Sequence, residues 1–185
     1  MSRFAVALVH YPCLDKHGEI FTTSITNLDV HDIARASTTY GVDAFYVVTP
    51  VTAQRDMAHA IAGYWESSAG QKRNADRTVA MKLVHVVASV DDAVASESAL
   101  VGHKPLVVVT SAKEQGAVPC ATLRARLAEE SALVLFGTGH GLAPSIVDAA
   151  DLVLEPLRGR PSVNAGYNHL SVRSAVAIFL DRLLA

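Results

Sequence analysis

Cysteine is almost missing from this 185-residue chain. The two present, Cys13 and Cys120, stand in neither a C-x-x-C nor a metal-ligand spacing. That excludes a disulfide framework and a thiolate metal centre, and it points to a reducing compartment. Charge is also scarce: 18% of residues carry it, 16 Lys and Arg against 18 Asp and Glu, for a formal net charge of −2. With no basic excess to meet a phosphate backbone, any nucleic-acid site must be a local patch on a near-neutral surface. No apolar run approaches the roughly 18 residues of a membrane span. The short apolar stretch in MSRFAVALVHYP, interrupted by His10 and Pro12, reads as a first strand and not as a signal peptide, so the expected location is cytoplasmic. Linkers, low-complexity tracts and internal repeats are missing too, which leaves one domain over 1–185.

What is present is an alternation. Short runs rich in Val, Ile or Leu at Phe4–His10, Ala44–Thr49, Leu83–Ala88, Leu106–Thr110, Leu133–Phe136 and Leu152–Leu154 read as strands. Their continuous apolar character suits strands buried on both faces, and segments of helical spacing between them supply the crossovers. The expected fold class is α/β, a mostly parallel sheet flanked by helices on both faces.

Two helices are well marked. Thr26 and Asp29 have the spacing of a capping box, with Asn27 as a competing cap. Val30, Ile33, Ala34 and Ser37 form the inner stripe, and Gly41 ends the helix. His31, Asp32 and Arg35 share the opposite face. In the last helix Val172, Ala175, Val176, Phe179, Leu180 and Leu183 form one stripe, and Ala177 and Ile178 add a second apolar edge. A subunit interface accounts for two apolar faces, and so does a helix sunk in its own core. The one extended polar stretch, Ser67 to Arg77, collects Lys72, Arg73 and Arg77.

Residues 133–141, LVLFGTGHG, place Gly137, Gly139 and Gly141 directly after a buried strand. Such glycines let a backbone turn tightly and approach a ligand, and they also serve plain turns. A Rossmann-type loop follows the first strand, with most of the sheet still to come. Here only 44 residues follow Gly141. The loop belongs to the end of the fold.

Three segments then resemble one superfamily. NLDVHDIARASTTYGVDAFYVV is similar to the early helix of SpoU-type SPOUT methyltransferases, roughly N-x-x-x-x-x-R-(T/A)-A-x-x-F-G-V. Arg35 falls at the family's functional arginine, and Asp29 replaces its asparagine. LVLFGTGHGL resembles the strand-then-glycine motif F-G-x-E-x-x-G, with Thr138 and His140 appearing and the glutamate missing. LEPLRG followed by YNHLSVRSAVAIFLDRL resembles the Pro-bearing loop and the N-x-S-x-x-x-A start of the final helix. TSITNLDxHDIAR and YNHLSVRSA together are most similar to a small group of RNA methyltransferases related to the SpoU and TrmD types.

The resemblance implies a C-terminal trefoil knot, a rare departure from unknotted topology. It also implies S-adenosylmethionine held by backbone groups of three loops, Thr110–Ser111, Phe136–Leu142 and Glu155–Ser171. The implied cofactor-binding residues are Thr110 and Ser111, then Phe136, Gly137, Thr138, Gly139 and Gly141, then Leu157, Asn168, His169, Leu170 and Ser171. The implied partners are RNA (tRNA or rRNA) and a second copy docked through 169–184.

A methyl group on a sulfonium is already activated, so no metal is required and the protein's task is orientation and any proton removal. Arg35 is the leading functional side chain, binding an RNA phosphate or orienting the target group. An exposed arginine paired with Asp32 is the plainer alternative. Asp29 and Asp32 are candidate proton acceptors, and Asp29 is equally a helix cap. Asn168 and Ser171 are also candidate caps of the final helix. Lys72, Arg73 and Arg77 either face RNA, with Tyr64 or Trp65 stacking on a base, or form a solvated loop. His10, Tyr11 and Pro12 fall by topology on the substrate side. Two other readings stay open: a non-catalytic knotted RNA-binding module, and a flavodoxin-like small-molecule binder.

Overall fold

A computed structural model describes residues 2–110, 116–160 and 167–185. The elements run β1 (Phe4–Val9), β2 (Cys13–Leu14), β3 (Ile20–Phe21), α1 (Asn27–Thr39), β4 (Ala44–Val48), α2 (Thr52–Glu66), α3 (Ser68–Arg73), α4 (Ala75–Met81) and β5 (Val84–Val87). They continue with α5 (Val90–Val101), β6 (Leu106–Thr110), α6 (Cys120–Arg126), β7 (Ala132–Gly137), α7 (Pro144–Asp148), β8 (Leu152–Leu154) and α8 (Val172–Leu184). Six strands form one parallel sheet in the order β5-β4-β1-β7-β6-β8. All six apolar runs expected as strands are in it.

Alternation along β1 sorts the core into two layers. Phe4, Val6 and Leu8 pack with Val30, Ile33, Phe179 and Leu180 of α1 and α8, while Ala5, Ala7 and Val9 face the side of α5 and α7. The central strands β1 and β4 are buried throughout, and the edge strand β5 is half-exposed, so continuous burial holds only at the centre. Each large aliphatic side chain removed from water, such as Leu180, contributes about 2 kcal/mol.

Helix α1 descends from the carboxyl edge of the sheet. The Thr26 hydroxyl accepts from the Asp29 amide (3.1 Å) and donates to the Asp29 carboxylate (2.6 Å). At the other end the Val42 amide reaches the Ser37 carbonyl at 2.9 Å, and Gly41 takes φ +72° as the left-handed stop. α1 lies against both α8 and α4, and together with α2 and α6 these helices cover one face of the sheet.

Three features depart from expectation. Residues 67–77 are not an open loop: Ser67 and Asn74 cap two short helices, their side chains accepting from the Gly70 and Arg77 amides. Apolar periodicity is missing there, so only the caps could have revealed them. The antiparallel hairpin of β2 and β3 was also unforeseen. Its strands are too short to show a period, and its turn is made by Asp15, whose carboxylate accepts from His17 N (2.7 Å) and Glu19 N (2.9 Å). The final helix begins at Val172, not 169, because Ser171 is its cap.

Candidate functional site

The three loops expected to act together leave the carboxyl ends of β7, β6 and β8, which are adjacent parallel strands. That edge is where α/β sheets bind ligands. Thr110 ends β6, its hydroxyl donating to Leu135 O at 3.2 Å; Ser111 lies outside the described residues. Phe136 is buried, its ring 5.9 Å from that of Phe179, so it offers a ligand backbone groups only. In the third loop Asn168 Nδ2 donates to Leu157 O at 2.9 Å, which ties the two ends of that loop together. Asn168 is therefore not the helix cap. His169, Leu170 and Ser171 are exposed beside it, with Ser171 as the cap, its hydroxyl accepting from Ser174 N.

The glycines divide their duties. A Cβ on Gly139 would sit 2.9 Å from Leu14 O and 3.2 Å from the Phe21 ring, so this glycine admits the hairpin. Gly137 likewise faces Leu142. Gly141, at φ +108°, has nothing within 4 Å of its missing Cβ and is the position open to a ligand. Backbone pairing continues the hairpin onto this loop: His140 N donates to Leu14 O and Leu14 N to Gly141 O, both at 2.9 Å. The crevice between β1 and β7, where the strand order reverses, is thereby filled by protein.

A buried chain of polar side chains fastens that closure. Thr138 Oγ1 donates to Val9 O (3.0 Å), so it accepts from Thr23, and Thr23 in turn accepts from His10 Nδ1 (2.8 Å). Counting one proton per hydroxyl assigns His10 the Nδ1–H tautomer and leaves Nε2 a buried lone pair without a partner. Burial lowers the imidazole pKa to about 4, against a smaller opposing effect of Asp29. Burial also raises the pKa of the neighbouring Cys13 thiol, against its bond to Thr138. His10 is fully buried and cannot line a substrate surface, correcting the expectation from topology; Tyr11 beside it is 41% exposed.

On α1, Asp29 is buried, with one oxygen on the Thr26 hydroxyl and the other 3.2 Å from Arg173 Nη1. Arg173 Nε also lies 3.5 Å from Asp32. Sequence reasoning missed Arg173. Its signal was a cation in the first turn of a helix, where the macrodipole disfavours positive charge and a tertiary partner is needed. Asp32 thus pairs with Arg173 and not with Arg35. Arg35 is exposed and lines a hollow of about 310 Å³ with Thr38, Thr39, Asn74, Asp76, Arg77 and Ala80. The Arg77 guanidinium lies 4.7 Å over the Trp65 ring, with the His31 ring edge-on to it. Trp65 is buried under them and unavailable for base stacking, whereas Tyr64 is exposed. Lys72 and Arg73 are exposed at the end of α3. Arg35 and Arg77 come together; Asp29 and Asp32 meet each other through Arg173.

Comparison with known proteins places this geometry in context. A model of SAM-dependent RNA methyltransferases matches residues 3–185. Two proteins named tRNA (guanine-N(1)-)-methyltransferase are similar, from Oleidesulfovibrio alaskensis (41% identical) and Nitratidesulfovibrio vulgaris (46%). Each alignment covers 96% of this chain and 41% of the relative, so the chain spans about two-fifths of their length. A protein of Aquifex aeolicus is 39% identical, with 97% of this chain and 87% of that one aligned. The SpoU methyltransferase AviRb from Streptomyces viridochromogenes superposes with a TM-score of 0.61 at 15% identity, over 98% of this chain and 58% of that chain. The A. aeolicus TrmH/SpoU tRNA modifying enzyme gives 0.57 at 15%, over 100% and 75%. At such identities the likeness speaks for the fold alone.

Proposed function

Because the chain belongs to the SAM-dependent RNA methyltransferase family, we propose that it transfers a methyl group from S-adenosylmethionine to a nucleotide of RNA, with tRNA as the acceptor to test first. The observation carrying this reading is the family match over nearly the whole chain, joined to three loops that converge on one edge of the sheet. The relatives' names favour tRNA; since this chain spans two-fifths of them, their guanine-N1 specificity is not carried over.

The residues present fit the cofactor. Gly141 leaves open space where a side chain would stand, the half-buried Leu157 and exposed Leu170 offer apolar cover for a purine, and the Asn168 bond to Leu157 O joins the described ends of the third loop. Bound there, the cofactor supplies an activated methyl group. The chain's own work is orientation. Arg173 clamps α1 to the first turn of α8, directly after the third loop, by bridging Asp29 and Asp32. Asp32, 45% exposed, would receive a proton from the acceptor nucleotide on the oxygen that Arg173 does not hold. Arg35, Lys72, Arg73 and Arg77 face the RNA. The same reading includes a tail threaded as a knot, pairing of two copies through 169–184, and a cytoplasmic location; among the described residues no helix is long and apolar enough to cross a membrane.

Isothermal titration with S-adenosylmethionine, followed by transfer of labelled methyl to tRNA and mass spectrometry of its nucleosides, tests the proposal. Saturable binding and one methylated nucleoside are expected. No heat at millimolar cofactor would leave a non-catalytic RNA-binding module in its place.

A further inference from the structure

The hollow between α1 and α4 holds two of the arginines proposed to face the RNA, well away from the sheet edge. At about 1.5 Å per helical residue, Arg35 stands roughly 13 Å below the Thr26 cap. It has neither an ion pair nor a hydrogen-bond acceptor for its guanidinium among the described residues, and the same holds for Arg77. Arg77 Nε is moreover buried without an acceptor among the described residues, a costly state for a charged donor. Stacking on Trp65 keeps this guanidinium flat while leaving its N–H groups unused.

An inventory of the lining sets the chemistry of the missing partner. Asn74 Oδ1 accepts from Arg77 N, which leaves its Nδ2 as a donor. The Thr38 and Thr39 hydroxyl protons are spent on the Ala34 and Arg35 carbonyls, each at 2.9 Å. Asp76 lines the hollow as well and forms no ion pair with either arginine. Two cations against one anion, with Lys72 and Arg73 on the adjoining helix, make this a basic island on a chain of net charge −2. Free donors on planar guanidinium groups match the oxygens of a phosphodiester.

We infer that the Arg35–Arg77 hollow is a subsite for a backbone phosphate of the RNA, remote from the methyl-transfer edge, that sets the register of the substrate. The inference rests on the RNA reading above. Contacts of this kind position a nucleic acid without reading its sequence, and their signature is salt dependence.

The test measures binding of fluorescently labelled, unfractionated tRNA to the full chain over a series of salt concentrations. Arg77→Gln removes the charge that stacks on Trp65 and keeps a polar side chain of partly the same length; Arg35→Gln changes an exposed side chain with no intramolecular bond among the described residues, so folding does not confound it. Each variant should weaken tRNA binding roughly five- to tenfold at about 0.1 M salt and lower the slope of log K against log salt by about one, the pair together by about two. S-adenosylmethionine affinity should stay unchanged in both. An unaltered slope in both variants, with the wild type binding tRNA, overturns the subsite, including the case where inorganic phosphate binds there but RNA does not. A wild type that binds the cofactor and no tRNA overturns the RNA reading itself, and the subsite with it.

Discussion

His10 sits where a polar side chain is least welcome, on the core face of the central strand. Phe4, Val6 and Leu8 point into the layer under α1, and His10 continues their register. The Thr23–Thr138 chain satisfies one ring nitrogen, and burial keeps the ring neutral down to about pH 4. An unfolded histidine takes up its proton near pH 6.5. Between those values the unfolded state binds the extra proton, so stability should fall as pH drops through this window and level off below about 4, by up to about 3 kcal/mol in all. His10→Asn retains a donor toward Thr23 and cannot titrate. Urea unfolding at about pH 7 and about pH 4.5 should show a steeper loss for the wild type than for the variant. Equal losses would place the acid sensitivity elsewhere. By topology the sequence puts His10 on the substrate side, and the threonines that hold it inside, 13 and 128 residues along the chain, are not legible there.

The hairpin and the glycine loop behave as one element. Gly139 was expected to admit a ligand, and the fold gives that place to Leu14 and Phe21. Gly139→Val would drive a side chain into Leu14 O at a positive φ, and overpacking of this kind costs about 1–3 kcal/mol. The expected result is a lower melting temperature with or without cofactor, together with faster proteolysis within 13–21. A variant of wild-type stability that loses only cofactor affinity would return Gly139 to the binding surface. The helix caps behave differently, because they are local: Thr26 with Asp29, and Ser171 with Ser174, follow from residues three apart. Arg173 is the contrasting case, a charge locally misplaced at a helix start and explained by Asp29, 144 residues earlier.

Across the whole molecule, α1, α3 and α4 carry the residues proposed to face RNA, and the sheet edge carries the loops proposed to hold the cofactor. In the proposed assembly, 169–184 also meets a second copy, with Leu170 (50% exposed) and Ile178 (36% exposed) as its uncovered apolar groups. Ile178→Glu should shift the chain from dimer to monomer in sedimentation velocity, since an apolar contact turned into a charge must be desolvated to re-form. A wild type that sediments as a monomer at micromolar concentration would remove the partner from the site. The sequence by itself determined the six strands of the main sheet, the α/β class, the first and last helices and the family, because burial on both faces, capping and motif order are written in neighbouring residues. Only the tertiary structure decided which polar groups meet. Arg35 beside Arg77, Arg173 on Asp29, and His10 behind Thr138 join residues far apart in the chain, and such pairings depend on how helices cross a sheet and not on any local period.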